Sequence, residues 1–211
     1  MNINDFQAPE FTPEWLKDIF DRQQTLIDKY AEIEGMPEYP FSPHTREGQK
    51  WFKDFLWRVS EELGESYEAY YLNSIEDNEE KSKAHEVHQL EELIDALHFL
   101  VELVILTGKD WVWAREQLDT AVTIGSNMEQ TPENAYWQVS YYLGMIGNTL
   151  KNKPWKQTEM PTDEEKFYGN LGRAFQALFQ CMAFVGADEA KVYDYYTRKH
   201  QVNQFRQRSQ Y

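Results

Sequence analysis

Leu90-Glu91-Glu92-Leu93-Ile94-Asp95-Ala96-Leu97-His98-Phe99-Leu100-Val101-Glu102-Leu103-Val104-Ile105-Leu106 is the segment on which the fold turns. At helical spacing its apolar side chains cover almost the whole circumference from Leu93 onward, which predicts a helix buried on most sides. Asp95, His98 and Glu102, with Glu92 beside them, break that cover in one narrow polar line. Carboxylates held in an interior need a cation or must be neutralised, so the line points to chemistry rather than to a solvated face.

A second acidic helix precedes it. In Ser60-Glu61-Glu62-Leu63-Gly64-Glu65-Ser66-Tyr67-Glu68, the apolar stripe runs through Phe52, Leu56, Val59, Leu63, Tyr67 and Tyr70. Glu61, Glu62, Glu65 and Glu68 gather on the opposite side, where like charges one turn apart repel and call for something positive. Glu62 and Glu65 are three apart, as are Glu92 and Asp95, so each pair projects from one helix face on successive turns. Two such helices packed antiparallel would bring four carboxylates to one spot, an oxygen-only cage suited to Mg²⁺ or Mn²⁺.

Farther out, apolar residues return at three- and four-residue intervals along nearly the whole chain, and alternating strand-like runs are missing. The fold class is therefore all-α, a single-domain bundle of about six to seven helices over residues 1–211. Helices are expected near 13–34, 46–73, 84–107, 110–127, 132–151, 163–185 and 188–205. Their starts are marked by Thr12-Pro13, Ser42-Pro43, Thr131-Pro132 and a Thr162/Glu165 capping box, and their stops by Gly35, Gly108 and Gly186. The stretches 35–45 and 152–162 read as Pro-rich linkers and 74–83 as a charged loop.

Composition bounds the function. A formal net charge of −15, from 36 acidic and 21 basic residues, argues against duplex nucleic acid bound by a basic face. The lone cysteine, Cys181, can form neither an intramolecular disulfide nor a cysteine zinc site, and no signal-peptide pattern opens the chain. The apolar run from Leu100 to Thr107 is too short to span a bilayer. The expectation is a cytoplasmic protein without membrane contact.

Positive charge reappears near the C-terminus, where Lys199, Asn203 and Arg206 stand at i, i+4 and i+7 on one helix face. A point charge, an amide and a guanidinium fork suit a phosphate clamp. His85-Glu86-Val87-His88 is no zincin motif, because its histidines are three residues apart rather than four. Trp51, Trp57 and Tyr70 are candidates for stacking on a base.

In combination these pieces resemble the all-α dimeric dUTPases and their dCTPase and MazG-like relatives among the all-α nucleoside triphosphate pyrophosphatases. The match runs through Glu62-x-x-Glu65, Glu92-Leu-Ile-Asp95-Ala-Leu-His98-Phe99, and Tyr196-x-x-Lys199-x-x-x-Asn203-x-Phe205-Arg206-Gln207-x-x-x-Tyr211, with Gln23-Gln24-x-Leu26-x-Asp28 near the start. The resemblance implies a homodimer that hydrolyses a deoxynucleoside triphosphate to the monophosphate and pyrophosphate. It also implies Mg²⁺, with Mn²⁺ as substitute, held by Glu62, Glu65, Glu92 and Asp95. Lys199, Asn203, Arg206 and Tyr211 would contact phosphate and sugar, and Gln24 the base. Glu65, Glu62 and Glu61 are the candidates for activating water. dUTP leads as substrate with dCTP next. Purine or modified nucleotides stay open because Ile27 stands where the dimeric dUTPases carry Asn, and His200 and Gln210 also depart from their pattern. A di-iron carboxylate protein and a non-catalytic helical binding protein are the rival readings.

Overall fold

The computed structural model describes residues 3–121, 131–153, 155 and 157–209. Among them lie seven α-helices, one short 3₁₀ turn at Ile3–Asp5, and no strand. The helices are α1 (Trp15–Glu34), α2 (Arg46–Ile75), α3 (Glu79–Leu106), α4 (Trp111–Ala121), α5 (Pro132–Thr149), α6 (Glu164–Phe184) and α7 (Glu189–Ser209). Among the described residues no helix is long and apolar enough to cross a membrane.

α3 is the axis of the molecule and touches α1, α2, α6 and α7. Its residues Leu93, Ile94, Ala96, Leu97, Leu100, Val101, Leu103 and Val104 have no solvent exposure, as the all-round apolar pattern requires. Only three residues separate α2 from α3, so the two pack as an antiparallel pair, which sets their acidic segments against each other. α5 and α6 form a second pair, and α7 lies against α1 and α3.

Several helix ends differ from the sequence expectation for identifiable reasons. α3 starts at Glu79, inside the stretch expected as a loop. Asn78 caps it by accepting from the Lys81 N–H, and Glu79 and Glu80 suit the positive end of the helix dipole. α2 is capped by Thr45 rather than Ser42, with the Thr45 hydroxyl accepting from the Gly48 N–H. Asp163, not Thr162, caps α6. Thr162 is drawn instead into a buried network, donating to the Pro43 carbonyl and accepting from Gln49 Nε2 at 3.0 Å. Gln49 Oε1 in turn accepts from the Asn152 N–H at 2.8 Å, so the two Pro-rich linkers are tied together beneath α2. The expected helix near 110–127 is described as far as Ala121; its remainder lies outside the described residues.

Candidate active site

Three of the four paired acids meet where α2 and α3 face each other. One carboxylate oxygen from each of Glu62, Glu65 and Glu92 lies within 4.8 Å of the other two. Glu92 is buried, Glu62 half-buried and Glu65 exposed. His88, one helical turn before Glu92, places Nδ1 at 3.1 Å from Glu92 Oε1. Burial, a hydrogen bond with Glu92 and the negative charge of Asp95, Glu92 and Glu65 push the Glu62 carboxyl up to about 8. At neutral pH the trio thus retains a proton. Crowded carboxylate oxygens whose charge is unfavourable by itself form a hard donor set that fits Mg²⁺ or Mn²⁺.

Asp95 is not one of this trio. Its Oδ2 lies 2.6 Å from Lys199 Nζ, and the two side chains are only 16% and 14% exposed. Burial raises Asp95 to about 6 although Lys199 pulls the other way. Burial also opposes the Lys199 charge, but Asp95, Glu92 and Glu91 outweigh it and its pKa is raised. The contact is ionic at pH 7, because the carboxyl titrates below that pH and the ammonium above it.

A cleft of about 260 Å³ opens beside the acids. Glu62, Asp95, Asn203 and Arg206 line one part of it, and Gln23, His98 and Glu102 another, with Tyr30, Arg58 and Phe99 also in the wall. Arg58 is clamped in place: its Nε lies 3.0 Å from Asp54 Oδ2, a terminal nitrogen donates to the Tyr30 hydroxyl, and the guanidinium packs on the rings of Tyr30, Phe55 and Phe99. Gln23 is held just as firmly, since its Oε1 accepts from the Tyr196 hydroxyl and lies 2.7 Å from His98 Nδ1. Two donors on the amide oxygen turn the Gln23 NH₂ away from them and place the His98 proton on Nδ1. Burial, with His200 and Lys199 nearby, lowers His98 well below the ordinary imidazole range, so the ring is neutral. It stacks on Tyr196 at 3.9 Å between centroids.

The sequence-predicted residues fall into three groups. Glu62, Glu65 and Glu92 converge, and Asp95, Lys199, Asn203 and Arg206 stand next to them. Gln24 is turned elsewhere: its Nε2 donates to Asp28 at 3.0 Å and to Tyr39 at 2.6 Å, in a separate groove beside Pro40 and Trp111. Its neighbour Gln23 occupies the cleft instead, because one residue along α1 is a rotation of about 100°. Glu61 is exposed and lines an outer groove with Trp57, Gly64 and Glu68, which Glu65 also borders. Tyr211 lies outside the described residues. Trp51 stacks on Phe41 and Tyr70 bonds to Glu133, so neither of these, nor Trp57, lines the cleft; Tyr30 and Phe99 supply its aromatic wall. Ile27 has no exposure and His200 is buried away from the cleft, so two of the departures from the dUTPase pattern are core positions.

Gln23, Glu102 and Arg58 complete the cleft. Glu102 was visible in the polar line of α3, whereas Arg58 carries no signal in one sequence beyond being a cation one turn before Glu62.

No curated protein and no solved structure matches the chain. A family model described as dUTPase matches residues 16–211, from the second residue of α1 past the end of α7, and so takes in every acid of the site and the cationic face opposite. The fold is all-helical, as that family's is, and the match spans nearly the whole chain: the protein belongs to the all-α dUTPase family and is a dUTP diphosphatase-like hydrolase.

Proposed function

We propose that the chain hydrolyses a pyrimidine deoxynucleoside triphosphate, dUTP first and dCTP next, to the monophosphate and pyrophosphate. The observation that carries this reading is the convergence of Glu62, Glu65 and Glu92 within 4.8 Å beside a cleft of nucleoside size. Mg²⁺ held by these carboxylates and Asp95 would supply positive charge to the triphosphate and acidify a water. Everything else falls to the chain's own residues. Arg206 and Asn203 reach the phosphates from α7, and Lys199 leans on Asp95 and supplies a fixed charge against the phosphoryl oxygens as they gain charge in the transition state. Glu65, the most exposed member of the trio, is the carboxylate that solvent reaches, and it orients and deprotonates the attacking water. Gln23 takes the base contact for which Gln24 was the sequence candidate. A homodimer acting in the cytoplasm completes the reading; the exposed aromatic side chains Trp57, Tyr67 and Tyr71 on α2 and Trp137 and Tyr141 on α5 support it as surface that a second copy would cover.

The test is a screen of each common dNTP with Mg²⁺, reading monophosphate and pyrophosphate separately. Glu62→Gln and Asp95→Asn are each expected to lower turnover at least ~100-fold with helical circular dichroism intact. Activity kept by both variants would refute the assignment.

A further inference from the structure

Asp95, His98 and Glu102 stand at i, i+3 and i+7 on α3, so the cleft wall advances about 10 Å along that helix between the two carboxyls. Asp95, Arg206 and Asn203 mark the end suited to phosphates. A deoxynucleotide seated with its phosphates there carries its base toward Gln23, His98 and Glu102.

The acceptor at that far end is Glu102. Glu102 is only 7% exposed, and among the described residues no cation stands within ion-pair distance of it. Arg58, the cation attracting it from α2, has its guanidinium committed to Asp54 and Tyr30. The Gln23 amide stabilises the ionised carboxyl, yet one such donor uses a fraction of the roughly four lone-pair sites that a carboxylate offers. His98 lines the same end, but its Nε2 is fully enclosed and is not offered to a ligand, which leaves Glu102 as the acceptor there. Against it stands one fixed donor group, the Gln23 NH₂.

A uracil edge offers a single N–H between two carbonyl oxygens, whereas cytosine replaces one of those oxygens with an amino group that donates. Carboxylates accept from that amino group in nucleic-acid recognition. Resting on the pyrimidine triphosphate hydrolysis proposed above, we infer that Glu102 is a specificity-determining residue that admits a 4-amino pyrimidine, so that the site takes dCTP as well as dUTP.

The experiment compares wild-type protein with Glu102→Gln, at pH 8.5 with Mg²⁺, reading kcat/KM for dCTP and dUTP and the calorimetric Kd of dCMP and dUMP. Wild-type kcat/KM for dCTP is expected within tenfold of that for dUTP, and Glu102→Gln is expected to lower the dCTP/dUTP ratio at least tenfold. A ratio that moves less than twofold overturns the role of Glu102 while leaving the hydrolase reading in place. If neither nucleotide is turned over, the hydrolase reading fails, and the monophosphate affinities still decide: an unchanged dCMP/dUMP preference overturns Glu102 as well. Should Glu102→Gln lose its helical signal, the wild-type ratio followed from pH 8.5 to pH 6 replaces it. Burial holds Glu102 near 7, with Arg58, Tyr39, Tyr196 and His98 around it, so the ratio falls toward pH 6 if the ionised carboxyl selects the amino group. Protonations shared by both substrates cancel in the ratio, and a flat ratio overturns the inference.

Discussion

Glu62 and Glu102 hold protons that the unfolded chain would release, and this links the site to stability. Burial pushes Glu102 up to about 7, and burial together with neighbouring acids pushes Glu62 up to about 8, both from an ordinary value of 4.5. Between those values the folded state binds more protons than the unfolded state, so stability falls as pH rises. His98 and His200 act in the opposite sense, because burial lowers both, but their contribution is complete once the unfolded imidazoles have titrated near 6.5. Without divalent cation, the melting temperature is therefore expected to drop from pH 6.5 to pH 8.5, and millimolar Mg²⁺ is expected to restore it at pH 8.5. A flat or rising profile in EDTA, followed by circular dichroism, would contradict these shifts. At this scale the sequence was legible in part. The spacing of Glu62, Glu65 and Glu92 announced the acidic meeting, because helix geometry alone fixes which acids share a face, whereas the fourth acid of the pattern, Asp95, is taken up by Lys199. The choice between Gln23 and Gln24 was not legible: adjacent glutamines differ only in which neighbour α1 turns them toward, and that depends on α3 and α7, hundreds of atoms away along the chain.

Among the elements, α2 shows how a linker fixes a helix that carries the site. Its first turn is wedged under the 35–45 linker so closely that a Cβ on Gly48 would lie 2.3 Å from the Ser42 carbonyl oxygen, a backbone atom with no room to yield. Gly48→Ala is expected to destabilise the protein by about 3 kcal/mol, as overpacking against backbone does, whereas Gly144→Ala, with open space around it on α5, is expected to add about 0.5–1 kcal/mol through helix propensity. Urea unfolding of the two variants separates these signs, and a neutral Gly48→Ala would mean that the linker is not a wedge. Helix number and order followed from periodicity, and α3 followed from its apolar saturation. Starts were harder to read because several residues competed for each cap. Thr162 satisfies the Pro43 carbonyl and leaves α6 to Asp163, and no local pattern foretells a partner 119 residues away. Tyr67 of the expected α2 stripe is 42% exposed because the face that α2 buries there runs through Ser66 and Ala69, which are 0% and 1% exposed.

For the whole molecule, a net charge of −15 coexists with a cationic face on α7 set against the acids of α3. The exposed rings on α2 and α5 lie outside that contact, and α2 and α5 touch one another, so a second copy could cover them together; none of these rings lines the cleft, to which α2 contributes Arg58 and Glu62. Light scattering is expected to return a mass about twice 25.1 kDa, and Trp137→Ser with Tyr141→Ser to shift it toward one copy. A single-copy mass for the unaltered chain would leave that surface without its partner.

α3 is at once the central pillar of the bundle and the bearer of Glu92, Asp95, His98 and Glu102. Natural variation is therefore constrained there: each polar position sits between apolar residues whose loss would open a void, so evolutionary drift on this helix is confined to swaps of similar size. Altered nucleotide tastes in descendants of this chain should therefore come through such single swaps, Glu102→Gln among them, rather than through wholesale change of the helix.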